Sequence, residues 1–80
     1  MKLPRSVSGA ELVKALGHLG YAVTRQTGGH IRLTLQTAQQ HHVTIPSHDP
    51  IKIGTLSAII GDVSSQLDIP RDDLIRKLFV

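Results

Sequence analysis

The chain contains no cysteine and no tryptophan, and its only aromatic residues besides histidine are Tyr21 and Phe79. Without cysteine, disulfides and thiolate metal sites are excluded. The hydrophobic core must be aliphatic, and a platform of aromatic side chains stacking on nucleobases is disfavoured. No apolar run approaches the ~18 residues of a membrane span, and no N-terminal stretch is typical of a secretory signal. We therefore expect a cytoplasmic protein that does not associate with membranes.

The length of the chain limits the number of domains, and its charge limits the kinds of partner. The chain has 80 residues, 40% of them hydrophobic, and a formal net charge of +3. This length fits a single domain spanning 1–80 with one thin core. Positive charge is concentrated before residue 61, where six Lys or Arg residues oppose two acidic ones. Such a balance favours a nucleic acid or an acidic protein as partner, although a small net charge is also ordinary for solubility.

Caps, turns and hydrophobic periodicity predict one helix, three strands and two further helices. Ser8 and Glu11 have the spacing of a capping box. Thr55 is expected to cap the second helix, and Pro70 is typical of the first turn of the third. The predicted bounds are 8–19 for the first helix and 21–27, 30–36 and 41–45 for the strands.

These elements predict an α+β fold of the order α-β-β-β-α with a short extra C-terminal helix. Short connections make the three-stranded sheet antiparallel, with the helices packed on one face and the other face open. The aliphatic residues that alternate along the strands and repeat along the helices form the predicted core. This core comprises Leu16, Ile31, Leu33, Val43, Ile45, Leu56, Ile59 and Leu74.

The glycine pair Gly28-Gly29 predicts a two-residue hairpin turn between the first two strands. If the pair is the whole loop, His30 faces the last residue of the first strand and Arg25 faces Arg32. The two arginines and His30 then share the open face, since cross-strand partners lie on one face. The same register also places Tyr21 on that face, whereas a bulge would shift the pairing and turn Arg25 away.

A histidine held on a hairpin between arginines is suited to chemistry at a phosphodiester. Histidine changes charge near neutral pH, so His30 can act as a general base on an RNA 2′-hydroxyl. Arg25 and Arg32 can stabilise the charge that develops on phosphorus. This chemistry requires no metal. The simpler alternative is that His30 is an exposed strand histidine without a catalytic role.

The other histidines raise the alternative of a metal site formed by His30, His48 and one of the pair His41-His42. Adjacent strand residues point to opposite faces and chelate poorly, which disfavours this site. No zinc motif with cysteine or HExxH spacing is present. We expect no metal and no cofactor, and we expect His48 to order a loop or to contact ligand.

Three short motifs, in this order and spacing, resemble the HicA-type toxin family. The resemblance covers about 8–78, and Gly29 stands where serine is commoner in the family. The motifs are Gly28-Gly29-His30, Pro46-Ser47-His48 and Gly54-Thr55-Leu56. The resemblance implies a double-stranded-RNA-binding-domain-like fold and a ribosome-independent mRNA endoribonuclease in which the motif histidine, here His30, is catalytic. It also implies a HicB-type antitoxin protein that binds and silences the toxin.

The candidate site therefore combines one catalytic residue with a set of RNA contacts. His30 is the catalytic candidate, and the RNA-binding assignments rest on charge and position. The RNA-binding candidates are Arg25, Gly28, Gly29, Arg32 and Lys52. Two alternatives stay open: a non-catalytic RNA-binding module on the same face, and a protein-interaction domain whose basic surface meets an acidic partner.

Overall fold

The computed structural model describes residues 2–37 and 39–79. It shows one helix, a three-stranded antiparallel sheet of order β1-β2-β3, and two further helices. The predicted α-β-β-β-α order with an extra C-terminal helix is confirmed. The elements are α1 (Gly9–Gly17), β1 (Tyr21–Thr27), β2 (His30–Leu35), β3 (His42–Pro46), α2 (Ile53–Leu67) and α3 (Arg71–Phe79).

The first helix begins at the predicted capping box. The Glu11 backbone N–H donates to Ser8 Oγ at 3.1 Å, and the Ser8 N–H donates to Glu11 Oε1 at 3.3 Å. The helix ends at Gly17, two residues before the predicted end. Gly20, with φ of 100°, then turns the chain into β1 in a left-handed conformation that side chains disfavour.

The predicted start of the second helix is wrong. Thr55 does not cap α2, because the helix begins at Ile53 with Lys52 at the N-cap and no side-chain cap. The physical reason is tertiary. Ile51 is buried and its N–H donates to the carbonyl of Val7 at 2.8 Å, which fixes the chain before the helix starts. A burial contact therefore outweighs the local capping preference of threonine.

The helices cover one face of the sheet and enclose the core. All eight predicted core residues are buried. Tyr21 is buried with them, although the simple hairpin register places it on the open face. The buried hydrophobic residues that were not on the predicted list are Val7, Leu12, Tyr21, Leu35, Ile51, Ile60, Val63 and Ile75.

A β-bulge explains both the buried tyrosine and the polar open face. Arg25 pairs with Arg32 as predicted, but the pairing shifts between Val23 and Arg25, so that Tyr21 lies opposite Leu35. One extra residue in β1, Thr24, reverses the alternation at that point. The hairpin tip consequently keeps its arginines on the open face while the start of β1 packs inward.

The N-terminus of α1 lies directly against the loop that follows β3. The Gly9 N–H donates to the His48 carbonyl at 2.8 Å. A Cβ at Gly9 would overlap the Pro46 carbonyl oxygen and would lie 3.3 Å from the Ser47 Cα. Glycine is needed here because the two backbones approach too closely for a side chain.

None of the helices within 2–37 and 39–79 has the length and apolar character needed to cross a membrane.

Candidate active site

His30 is the first residue of β2 and follows the two-residue turn Gly28-Gly29. Across the sheet it pairs with Thr27 on one side and Pro46 on the other. The Gly29 carbonyl accepts a hydrogen bond from the Ser47 N–H at 3.0 Å, which ties the turn to the loop after β3. The His30 side chain is exposed. The histidine is thus held on a rigid backbone with its imidazole open to solvent.

The glycine pair leaves the approach to His30 unobstructed. A Cβ at Gly28 or Gly29 would meet nothing within 4 Å, and neither residue adopts a left-handed backbone. Neither packing nor backbone strain therefore requires glycine in this turn. What the two glycines provide is a bare backbone at the edge of the site.

Beside His30 lies a depression of ≈ 160 Å³ whose walls include both arginines predicted for the site. Arg25 and Arg32 are directly paired across the strands and are both exposed. Within the described ranges, neither arginine forms a salt bridge. Like charges directly opposite one another destabilise a sheet. A bound anion such as phosphate would offset that repulsion. The lining residues are Arg25, Thr27, His30, Arg32 and Thr44.

Lys52 does not join this cluster. It is exposed at the N-cap of α2 and lines neither of the two depressions on the open face. A lysine at the positive end of a helix dipole is electrostatically unfavourable by itself. The structure therefore brings His30, Arg25 and Arg32 together beside the glycine turn and leaves Lys52 apart.

A second depression of ≈ 470 Å³ extends the open face away from His30. Its floor contains Thr34, which is only 4% exposed. The Thr34 hydroxyl lies 2.7 Å from Thr24 Oγ1 and 2.8 Å from His42 Nδ1. The sequence did not predict that Thr24 and His42 meet at Thr34, because the bulge that places Thr24 here has no local signal. The lining residues are Thr24, Arg25, Arg32, Thr34, Gln36, Gln40 and His42.

On the opposite side of the sheet, Tyr21, His41 and Asp62 form a hydrogen-bonded chain. Tyr21 Oη lies 2.7 Å from His41 Nδ1, and His41 Nε2 lies 3.1 Å from Asp62 Oδ1. Burial, and then the negative charge of Asp62, raise the pKa of Tyr21 to about 12. The phenol consequently keeps its proton at neutral pH. This chain connects β1, the segment before β3 and α2, so its role is structural.

The adjacent histidines His41 and His42 point to opposite faces, as predicted. His41 contacts Tyr21, and His42 contacts Thr34. His48 has an exposed side chain, and its carbonyl orders the loop by accepting from Gly9. Across residues 2–37 and 39–79, no three His, Asp or Glu side chains are grouped closely enough to hold a metal ion.

A comparison with protein-family models identifies the family of this protein. Residues 9–64 match a family model described as the HicA toxin of bacterial toxin–antitoxin systems. The matched segment runs from the start of α1 into α2 and includes the whole open sheet face. Comparisons with curated proteins and with solved structures found no match.

Proposed function

Because this chain belongs to the HicA toxin family of bacterial toxin–antitoxin systems, we propose that it is a toxin that cleaves mRNA with His30 as general base. His30 removes the proton of a 2′-hydroxyl, and the 2′-oxygen attacks the adjacent phosphorus. The bond to the 5′-oxygen breaks, that oxygen takes a proton from water, and the His30 imidazolium returns its proton to the resulting hydroxide. The products are a 2′,3′-cyclic phosphate and a 5′-hydroxyl, and no metal takes part.

The observation that carries this proposal is the unneutralised pair Arg25 and Arg32 beside an exposed histidine. Negative charge builds up on the non-bridging phosphate oxygens as the 2′-oxygen attacks. Positive groups fixed near that position stabilise the transition state more than the ground state. Their mutual repulsion in the free protein is relieved when phosphate is present. The arrangement is thus suited both to bind RNA and to promote its cleavage.

The glycine turn supports the same proposal. RNA is bulky, and a scissile phosphate must come close enough for His30 to reach the neighbouring hydroxyl, within ~2.6–3.2 Å. With no Cβ at Gly28 or Gly29, the backbone at the tip can lie close to the ribose-phosphate chain. A role of Lys52 in RNA binding would have to involve a more distant part of the substrate.

The proposal is tested by incubating purified protein with a defined single-stranded RNA, with and without EDTA, and analysing the product ends. We expect scission that persists in EDTA and leaves 2′,3′-cyclic phosphate ends. Cleavage that stops with EDTA would indicate a metal mechanism. Salt-dependent binding without scission would indicate a non-catalytic RNA-binding module on the same face.

Membership in this family implies an antitoxin partner. We propose that it is a HicB-type protein that covers the open face and excludes RNA by occlusion. A carboxylate-bearing segment of the antitoxin would bind Arg25 and Arg32, since arginine pairs with carboxylates in bidentate fashion. The same unneutralised charges would thus serve substrate and inhibitor in turn.

A further inference from the structure

The second depression adjoins the proposed cleavage site at the pair Arg25 and Arg32. Arg25 and Arg32 line both depressions, with His30 on one side of the pair and His42 on the other. Thr34, the partner of His42, is four residues along β2 from His30, or roughly 13 Å. His42 and His30 thus lie at opposite ends of the arginine pair.

His42 is nevertheless held in a defined orientation. The Thr24 hydroxyl donates to the Arg32 carbonyl oxygen at 3.4 Å and accepts from the Thr34 hydroxyl at 2.7 Å. Thr34 Oγ1 in turn accepts from His42 Nδ1 at 2.8 Å. We assign these directions because they satisfy all three contacts at once, and in neutral imidazole they place the proton on Nδ1. The other ring nitrogen, Nε2, is then a hydrogen-bond acceptor.

The burial of Thr34 shows that the orientation of His42 is fixed by the fold. Thr34 lies on the open face and is nevertheless only 4% exposed. Burying a hydroxyl is unfavourable unless it is hydrogen-bonded. Here the hydroxyl is bonded on both sides and holds the imidazole in place. The imidazole is thus oriented before any ligand arrives, which lowers the entropy lost on binding.

The remaining walls offer donors and acceptors together. The side-chain amides of Gln36 and Gln40 each carry both kinds of group, and His42 Nε2 adds an acceptor. No carboxylate lines the depression. A carboxylate ligand would use only the donors. The edge of a nucleobase presents donors and acceptors side by side, and amide side chains and histidine rings are groups that recognise unpaired bases.

We infer that this depression is a nucleobase subsite. It receives the unpaired base of a nucleotide adjoining the scissile phosphate, while Arg25 and Arg32 hold the phosphate between the base and His30. The inference rests on the proposed function for the position of the cut. It adds that Gln40 and His42, on the far side of the arginines, determine which RNA sequences the toxin prefers.

The test measures base preference without cleavage. Short single-stranded oligonucleotides of A, C, G or U carry 2′-O-methyl groups, which block the nucleophile, and a fluorophore for anisotropy at fixed ionic strength. We expect the wild type to bind one base at least ~5-fold more tightly than the weakest. Gln40→Ala and His42→Ala should each reduce this ratio to about two-fold or less. Arg32→Ala should weaken binding to all four oligonucleotides alike.

Gln39→Ala is the matched control, because Gln39 is exposed in the same loop and does not line the depression. It should keep the wild-type preference. Circular dichroism establishes that each variant is folded, and His42→Ala serves if Gln40→Ala is not. Equal wild-type affinity for all four bases, no binding at all, or the same behaviour of Gln39→Ala and Gln40→Ala overturns the inference.

Two further measurements distinguish a nucleobase from a protein carboxylate in the depression, and the nucleobase subsite from the proposed cleavage activity. In the first, pentaglutamate competes with the oligonucleotide. If it displaces the oligonucleotide from the wild type but not from Gln40→Ala, the depression binds a protein carboxylate, and the inference of a nucleobase subsite is overturned. Cleavage is measured separately on unmodified RNA. A base preference that depends on Gln40, without any scission by the wild type, would support the subsite and contradict the proposed enzyme.

Discussion

At the scale of single residues, the titration of Tyr21 tests directly the hydrogen bonds that link Tyr21, His41 and Asp62. Its pKa is raised to about 12 in the folded protein by burial and by Asp62, against ~10 in an unfolded chain. The folded state binds the phenol proton more tightly. Stability from this group is therefore complete below about pH 10 and is lost as pH rises through about 12. The loss should be ~1–3 kcal/mol.

The chain has one tyrosine and no tryptophan, so phenolate absorbance reports this residue alone. We expect a midpoint of about 12 in buffer and ~10 in concentrated urea. Tyr21→Phe should remove the alkaline loss of stability between these values. A midpoint near 10 in the folded protein would show that the phenol is solvated and that its hydrogen-bonded link through His41 to Asp62 does not form.

Two glycines in the same helix give a second prediction at this scale. A Cβ at Gly9 would overlap the Pro46 carbonyl, whereas one at Gly17 meets nothing within 4 Å. Gly9→Ala should therefore destabilise the protein by ~1–3 kcal/mol, as overpacking does. Gly17→Ala should stabilise it by up to ~1 kcal/mol through helix propensity. Urea denaturation of both variants checks this, and equal effects would contradict the close approach of α1 to the loop after β3.

At the scale of elements, the central strand carries the core. Leu33 is 0% exposed on β2, and its cross-strand partner Val23 is 49% exposed on the edge strand β1. Leu33→Ala should cost ~2–5 kcal/mol because it leaves a cavity. Val23→Ala should cost ~1 kcal/mol or less. Thermal unfolding compares the two, and a Leu33→Ala variant that melts with the wild type would show that the strand faces are misassigned.

The elements also show what a sequence reveals. The hairpin tip was predictable because two adjacent glycines between strand-like segments signal a two-residue turn, and a turn of that length sets Arg25 opposite Arg32. The bulge at Thr24 was not, since no glycine or proline marks it. In the sequence its only trace is that the regular register places the large side chain of Tyr21 on the open face. The bulge shifts the register before Arg25, so that Tyr21 packs into the core.

Contacts between distant segments account for the other differences. Thr55 has the local character of a cap, but the buried Ile51 sets the helix start at Ile53 instead. His42 joins Thr24 and Thr34 only after the bulge and the pairing of β2 with β3 have formed. Sequence periodicity predicts which residues share a face, and it does not predict which of them touch. The second depression was invisible for that reason.

At the scale of the whole molecule, one face is covered by helices and the other carries positive charge. We expect the antitoxin and RNA to compete for the open face. Arg32→Glu should weaken antitoxin binding ~10-fold or more, since it replaces the arginine that pairs with an antitoxin carboxylate by a negative group that repels it. Lys14→Glu, on the exposed side of α1 away from this face, is the matched control. Titration calorimetry measures both affinities.

The alternative is inhibition from a distance. It predicts that the toxin–antitoxin complex still binds RNA with the affinity of the free toxin, and that Arg32→Glu and Lys14→Glu have equal effects on antitoxin binding. Occlusion predicts that saturating antitoxin abolishes RNA binding. Anisotropy of a labelled, uncleavable RNA separates these outcomes.

The most direct test of the whole account is the single-turnover rate of RNA cleavage by His30→Ala, measured beside the wild type. His30 is exposed at the start of β2, so alanine opens no cavity and should leave the melting midpoint nearly unchanged. His18→Ala, at the C-cap of α1, is the matched control and should cleave like the wild type. We predict a loss of ~10²–10⁴-fold for His30→Ala alone. Equal rates for folded His30→Ala and the wild type would contradict a catalytic role of His30.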